Sequence, residues 1–355
     1  MSQNKKSGRI YVVYVIIIFA FVATAAFERF EAEAQNSSWR IIKHSPDLGG
    51  AAEAVLGFDS FMMILRQTSD QVKADIWLYE LNAVDPTLLA QRQNPESPDI
   101  QFEPGASLAW DGKRYIYALV GATYSTRNRT GFLRYDTCFN QAGVCSSDWE
   151  FRAGTRSEQG PGNALSHARV NNQDFLFAFT GASRIERSTP ANSFSRYDVE
   201  SDLWENMPYP AQWNCTDDGV ALIWDGDDSI YALGGSDCFD DPSGRFARFR
   251  LSASQWETLP ALPVDVDEGG SLAWDGEFHV YALAGGASDD SSTGRASYRF
   301  NTAAKIWQVL DDIPCQVGLF HGNRLAGING EIFYWEGMDF AGNCGGNAIV
   351  RFEGN

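Results

Sequence analysis

The stretch "SLAWDGEFHVYALAGG", Ser271–Gly286, recurs almost letter for letter as "SLAWDGKRYIYALVGA", Ser107–Ala122, the two opening serines standing 164 residues apart. No single hairpin spans that distance, so the phrase marks a repeating unit, and the repeat has to be read before any motif. Each copy sets two apolar runs on either side of Trp-Asp-Gly. Asp-Gly between such runs predicts a two-residue hairpin turn in which both central residues take positive φ. Trp224-Asp225-Gly226 is a third copy. "VNNQD" from Val170 and "INGE" from Ile328 use asparagine in the same place, and "GFDS" around Asp59 is a degraded first copy.

A second anchor follows each hairpin: Leu78-Tyr79, Arg134-Tyr135, Arg196-Tyr197, Arg248-Phe249, Arg299-Phe300 and Arg351-Phe352. The aromatic residue recurs at intervals of 56, 62, 52, 51 and 52 residues. The arginine before it reads as a stem laid over the sheet, with its head in a structural ion pair. A tryptophan stands seven residues beyond the aromatic in three units, at Trp204, Trp256 and Trp307. Trp149 follows Tyr135 by 14, with Cys138 and Cys145 in the additional stretch, which reads as a loop insertion stapled by its own disulfide. Each unit is therefore four strands: an apolar A, an aromatic B ending in glycine, C with the aromatic and D with the tryptophan.

Six units of this kind predict an all-β chain folded as a six-bladed β-propeller of four-stranded blades. The last unit stops at Asn355 before any D strand, whereas "SSWRIIKHSPDLG" near the start has the form of one. The strand around Trp39 is expected to pair with the C strand near Phe352, closing the ring and leaving the last blade no open edge. Residues 37–355 then form one domain.

The first 36 residues are separate. Lys5, Lys6 and Arg9 precede an apolar run from Ile10 to Phe27, which reads as an export signal or as an N-terminal membrane anchor. With either, the domain is exported: extracellular, periplasmic or at the cell surface. Six cysteines in such a chain predict disulfides. The formal charge of −18 disfavours nucleic acid and anionic lipid as partners.

Gly234-Gly235 and Gly285-Gly286 at the ends of B strands, "RYD" at Arg134–Asp136 and Arg196–Asp198, and the later tryptophan resemble the kelch-repeat family, of the galactose oxidase central-domain type. The resemblance covers the chain beyond residue 37, with Gly121-Ala122 and Gly181-Ala182 replacing the double glycine and the first unit lacking it. It implies kelch-type blades and leaves function open, because the fold hosts unrelated activities. Copper-oxidase chemistry of that family needs tyrosine, cysteine and two histidines near the axis. His44, His167, His279 and His321 do not converge in the topology.

Loops from B to C and from D to the next A share one face of a propeller. Cys215 and Cys238 occupy those two loops in the fourth unit, and Cys315 and Cys344 occupy them in the sixth, so the expected bridges are Cys215–Cys238, Cys315–Cys344 and Cys138–Cys145. The same face collects the binding candidates Glu103, Tyr124, Trp213, Asp217, Asp218, Asp237, Asp267, Glu268, Asp289 and Asp290. Calcium is a cation that such carboxylates can ligate, although no EF-hand-type spacing is present and no metal or other cofactor is assigned. The reading is a non-catalytic module for a protein or glycan ligand. The alternative is an enzyme on a small sugar, mutarotase- or hydrolase-like, with Asp217/Asp218 or Asp267/Glu268 as acid and base in the channel. No GxSxG, HExxH or P-loop pattern occurs.

Overall fold

The computed structural model of the chain describes residues 38–44, 52–67, 74–81, 87–93, 102, 105–121, 130–137, 149–157, 159–160, 162–181, 192–236, 243–267, 269–285, 296–313, 325–335 and 348–354. They form six four-stranded antiparallel sheets. In order from A to D, blade 1 comprises Ala52–Phe58, Phe61–Gln67, Ala74–Glu80 and Thr87–Gln93. Blade 2 comprises Ser107–Trp110, Tyr115–Leu119, Phe132–Asp136 and Trp149–Phe151. Blade 3 comprises Ala164–Val170, Gln173–Thr180, Ser193–Asp198 and Leu203–Met207. Blade 4 comprises Ala221–Trp224, Ser229–Leu233, Phe246–Arg250 and Gln255–Leu259, and blade 5 Ser271–Trp274, His279–Leu283, Ser297–Asn301 and Ile306–Val309. Blade 6 takes Leu325–Ile328, Glu331–Trp335 and Ala348–Glu353 from the C-terminal end, and its outermost strand is Ser38–His44. The six A strands contact one another in cyclic order, which closes the ring.

The closing strand lies where the repeat places it, with Trp39 opposite Phe352 and Ser38 opposite Glu353. The Trp39 and Phe352 rings meet edge to face at 5.1 Å, and the indole Nε1 donates to Ser297 Oγ of blade 5 at 3.0 Å. The same tie recurs around the rim. Trp204 Nε1 donates to the Ala153 carbonyl, Trp256 to Pro208 and Trp307 to Pro260, each reaching the preceding blade. An indole carries one donor, and in these three it is satisfied by a carbonyl at 2.7–2.9 Å.

The recurring arginine performs as its position suggests. Arg134 faces Glu150 across the C–D pair, Arg196 faces Glu205 and Arg248 faces Glu257, each forming an ion pair with that residue. In blade 5 the partner is Gln308, an uncharged acceptor at 2.7 Å. The B strands are covered on both faces, and Ser229–Leu233 is buried at every position.

The Asp-Gly turns differ from the two-residue form. Trp110 pairs with Ile116, Trp224 with Ile230 and Trp274 with Val280, so wider loops separate the strands. Gly112, Gly226 and Gly276 have φ of 74°, 80° and 85°, while the preceding aspartates keep negative φ. The aspartate acts through its side chain instead: Asp111 Oδ1 accepts the backbone N–H of Lys113, Arg114 and Tyr115, and Asp275 Oδ1 those of Glu277, Phe278 and His279. Self-capping of this kind adds to the one backbone bond that closes each loop, from Asp111 N to Tyr115 O and from Asp275 N to His279 O. True two-residue turns occur in the other blades, at Asn171-Asn172 with φ of 50° and 65° and at Asn329-Gly330 with 53° and 83°.

Candidate functional site

The loops entering the A strands of blades 3, 4 and 5 pack against one another at one end of the axis and form part of a collar. A Cβ on Gly162 would overlap the Asp217 carbonyl, one on Gly219 the Asp267 carbonyl, and one on Gly235 the Asp218 carbonyl. Gly219 also has φ of 83°, so glycine is demanded there twice. Hydrogen bonds tie each loop to the glycine end of a B strand. Asp217 N donates to Ser236 O and Ser236 N to Asp218 O, both at 2.9 Å, and Asp267 N donates to Ala284 O at 3.1 Å. In blade 3 side chains do the same work: Gln159 Oε1 accepts from Gly121 N, its Nε2 donates to Gly131 O, and Asn163 Oδ1 accepts from Gly181 N.

This packing relocates part of the binding face read from the sequence. Asp217 and Asp218 are fully buried, so they lie within the collar, not on its surface. Trp213 is 5% exposed and stacks on Phe179 of blade 3 at 5.6 Å, which makes it a filler of the seam between blades 3 and 4. Arg245, one residue before strand C of blade 4, lies over that indole at 5.6 Å and donates to the Cys215 carbonyl at 3.2 Å. Asp267 is partly exposed at the collar. Glu103, Tyr124, Asp237, Glu268, Asp289 and Asp290 lie outside the described residues. Cys215 is disulfide-bonded and 1% exposed. Cys138, Cys145, Cys238, Cys315 and Cys344 lie outside the described residues, so the three pairings stand as expectations. The apolar run 10–27 lies outside them too, and no described helix is long and apolar enough to cross a membrane. Among the described residues, no three His, Cys, Asp or Glu side chains are grouped to hold a metal ion.

Between the six A strands the axis holds a cavity of about 240 Å³, which extends from Leu325 and Leu272 to Trp110, Trp224 and Trp274 beside the A–B turns. Its wall combines aliphatic side chains, Ser166, the backbone at Gly57 and Gly327, three indoles (Trp110, Trp224 and Trp274) and the His167 imidazole, which stands where blades 2, 4 and 5 have tryptophan. His167 meets Trp224 edge to face at 5.4 Å. Its Nε2 lies 2.9 Å from Asp174 Oδ1, and Arg169 and Lys113 converge on the same carboxylate. Burial pushes the His167 pKa down and keeps the ring neutral, with the Nε2 proton directed to Asp174. Burial also raises the Asp174 pKa, but hydrogen bonds from Arg169, Lys113 and His167 outweigh it and hold the carboxyl well below the usual carboxylate range. Tryptophans noted in the sequence as turn markers thus form the cavity wall. Each is the last residue of its A strand, and that was the available signal.

A second hollow of about 530 Å³ runs between blades 5 and 6, lined by Asp275, His279, Arg299, Glu331, Arg351 and Glu353 among others. Several of its charges pair within the protein, Asp275 with His279 at 2.9 Å and Arg351 with Glu353 at 3.0 Å.

Fold, collar and axial cavity together define a six-bladed β-propeller. A search of solved structures finds the chain similar to the one titled "Structure of YjhT", with a TM-score of 0.59 and 10% identity, over 88% of this chain and 95% of that one. At that identity the likeness concerns the fold. No family model matches the chain, and no curated protein does.

Proposed function

We propose that the chain is an exported or membrane-anchored kelch-type propeller that acts as a non-catalytic binding module for a protein or glycan on its B–C and D–A loop face. The observation that supports it is the collar: backbone packed on backbone at Gly162, Gly219 and Gly235 gives the variable loops a rigid base. Binding loops set on a rigid scaffold lose less conformational freedom when a ligand arrives. The pairings Cys215–Cys238 and Cys315–Cys344 would restrain the same loops further.

The acid–base alternative gains less. Asp217 and Asp218 are sealed within the collar, and among the described residues no carboxylate lines the axial cavity. The test is a glycan array together with a protein pull-down, using the chain from residue 35 onward, which holds every described strand. Saturable capture of one ligand class, lost on Gly219→Ala, supports the reading. Turnover of a free sugar without stable capture would replace it with the enzyme.

A further inference from the structure

We propose that the axial cavity at the A–B-turn end is a separate binding site for a small organic cation of the quaternary or tertiary alkylammonium class. Three indoles from three different blades and one neutral imidazole wall a space of about 240 Å³, together with aliphatic side chains, Ser166 and the backbone at Gly57 and Gly327. Indole faces attract a cation through the ring quadrupole, and an alkylammonium also covers itself with hydrocarbon that such a wall solvates.

The rim supplies charge of the right sign. Trp224 and Trp274 run directly into the turns Asp225–Asp228 and Asp275–Phe278, which contain no lysine or arginine. Asp228 pairs with Arg250 and Asp275 with His279, and the exposed carboxylates of these turns are Asp227 and Glu277. In blade 2 the turn does hold Lys113 and Arg114, but these pair with Asp174 and Asp136. The rings are also held in place. Trp274 stacks on Tyr231 at 6.5 Å and 11°, Trp224 Nε1 is bonded to the Asp227 carbonyl at 2.9 Å, and Phe58 packs on Trp110 at 5.4 Å. A cage of fixed rings binds without first being ordered.

The test is titration of the full chain with choline, with tetramethylammonium, and with choline's neutral isostere in which a tert-butyl group replaces the trimethylammonium. Tryptophan fluorescence and calorimetry follow binding. Both cations should saturate, with the isostere about tenfold weaker or more. Trp274→Leu should weaken the cations at least about fivefold. Asp227 and Glu277 are exposed turn residues, so Asp227→Asn with Glu277→Gln leaves the fold intact whatever Trp274→Leu does. That pair should weaken the cations about threefold at low salt and leave the isostere unchanged. Equal binding of cation and isostere, absence of saturation, or indifference to the rim pair would each overturn the proposal. The loop-face ligand is unaffected by these changes, so the two proposals fail independently.

Discussion

Closure of the ring by the N-terminal strand can be tested through one side chain. Trp39 is 8% exposed, meets Phe352 edge to face and donates to Ser297 across the blade boundary. Trp39→Ala removes all three contributions, and truncations of this kind in a packed site cost about 3–5 kcal/mol. The propeller runs from Ser38 to Gly354, 317 residues. At about 2.1 cal/mol/K per residue its unfolding entropy is about 0.7 kcal/mol/K, so the melting temperature should fall by roughly 4–8 °C. Trp39→Phe keeps the ring contact and loses the donor, and should fall by roughly 1–3 °C. Calorimetry at one fixed scan rate measures both. A chain lacking residues 1–45 leaves Ala348–Glu353 as an open edge, and should self-associate until a synthetic peptide of residues 36–46 is added to refill it. A shift below 1 °C for Trp39→Ala, or a truncated chain that melts like the intact one, would refute closure as a source of stability.

Acid should weaken the fold through two neighbours. The Asp174 pKa is depressed in the fold, so its contribution is present above the ordinary value of 3.8 and is lost as pH falls below it; Asp174→Asn should flatten that limb of a stability–pH curve measured by urea titration. The His167 pKa is depressed as well, so its neutral form is favoured by folding and stability declines as pH falls below 6.5; His167→Gln should remove that decline. Peptide mapping without reductant should recover Cys215–Cys238, Cys315–Cys344 and Cys138–Cys145, and reduction should cost about 2–4 kcal/mol for each long loop released. Any other pairing would mean that the loops have been assigned to the wrong positions. Gly219→Ala combines a positive φ with overlap on the Asp267 carbonyl, and should lower stability by about 1–3 kcal/mol, read as a shift in the urea midpoint.

The ring was legible because its signals are periodic, and a period survives the loss of any one copy. The misread turn shows where that stops. Asp-Gly names a turn composition, but Asp111 and Asp275 use the carboxylate to cap a wider loop, and only the pairing of Trp110 with Ile116 and Trp274 with Val280 distinguishes the two. The carboxylates misled in a second way. Asp217 and Asp218 read as exposed loop acids, since nothing in their composition reports that neighbouring loops would press backbone against them. Gly162, Gly219 and Gly235 were the sign of that close approach, hidden among 33 glycines.

Comparing the blades with one another separates what folding demands from what it does not. One register row crosses each sheet from axis to rim: Trp110, Ile116, Tyr135, Trp149 in blade 2 and Trp224, Ile230, Phe249, Trp256 in blade 4. At the rim end tryptophan stands in blades 2 to 6, as Trp149, Trp204, Trp256, Trp307 and Trp39, and four of these donate to the preceding blade. At the axis end of the same rows blade 3 has His167 in place of tryptophan, while Gly57 and Gly327 stand in the cavity wall in blades 1 and 6. What stands at the axis is set by what the preceding blade presents. Trp110 packs on Phe58 of blade 1, Trp224 on His167 of blade 3 and Trp274 on Tyr231 of blade 4, so each indole fills a seam between neighbouring blades. In blades 6 and 1 the preceding blade comes too close for a side chain: a Cβ on Gly327 would overlap the Trp274 carbonyl, and one on Gly57 the Ile328 side chain.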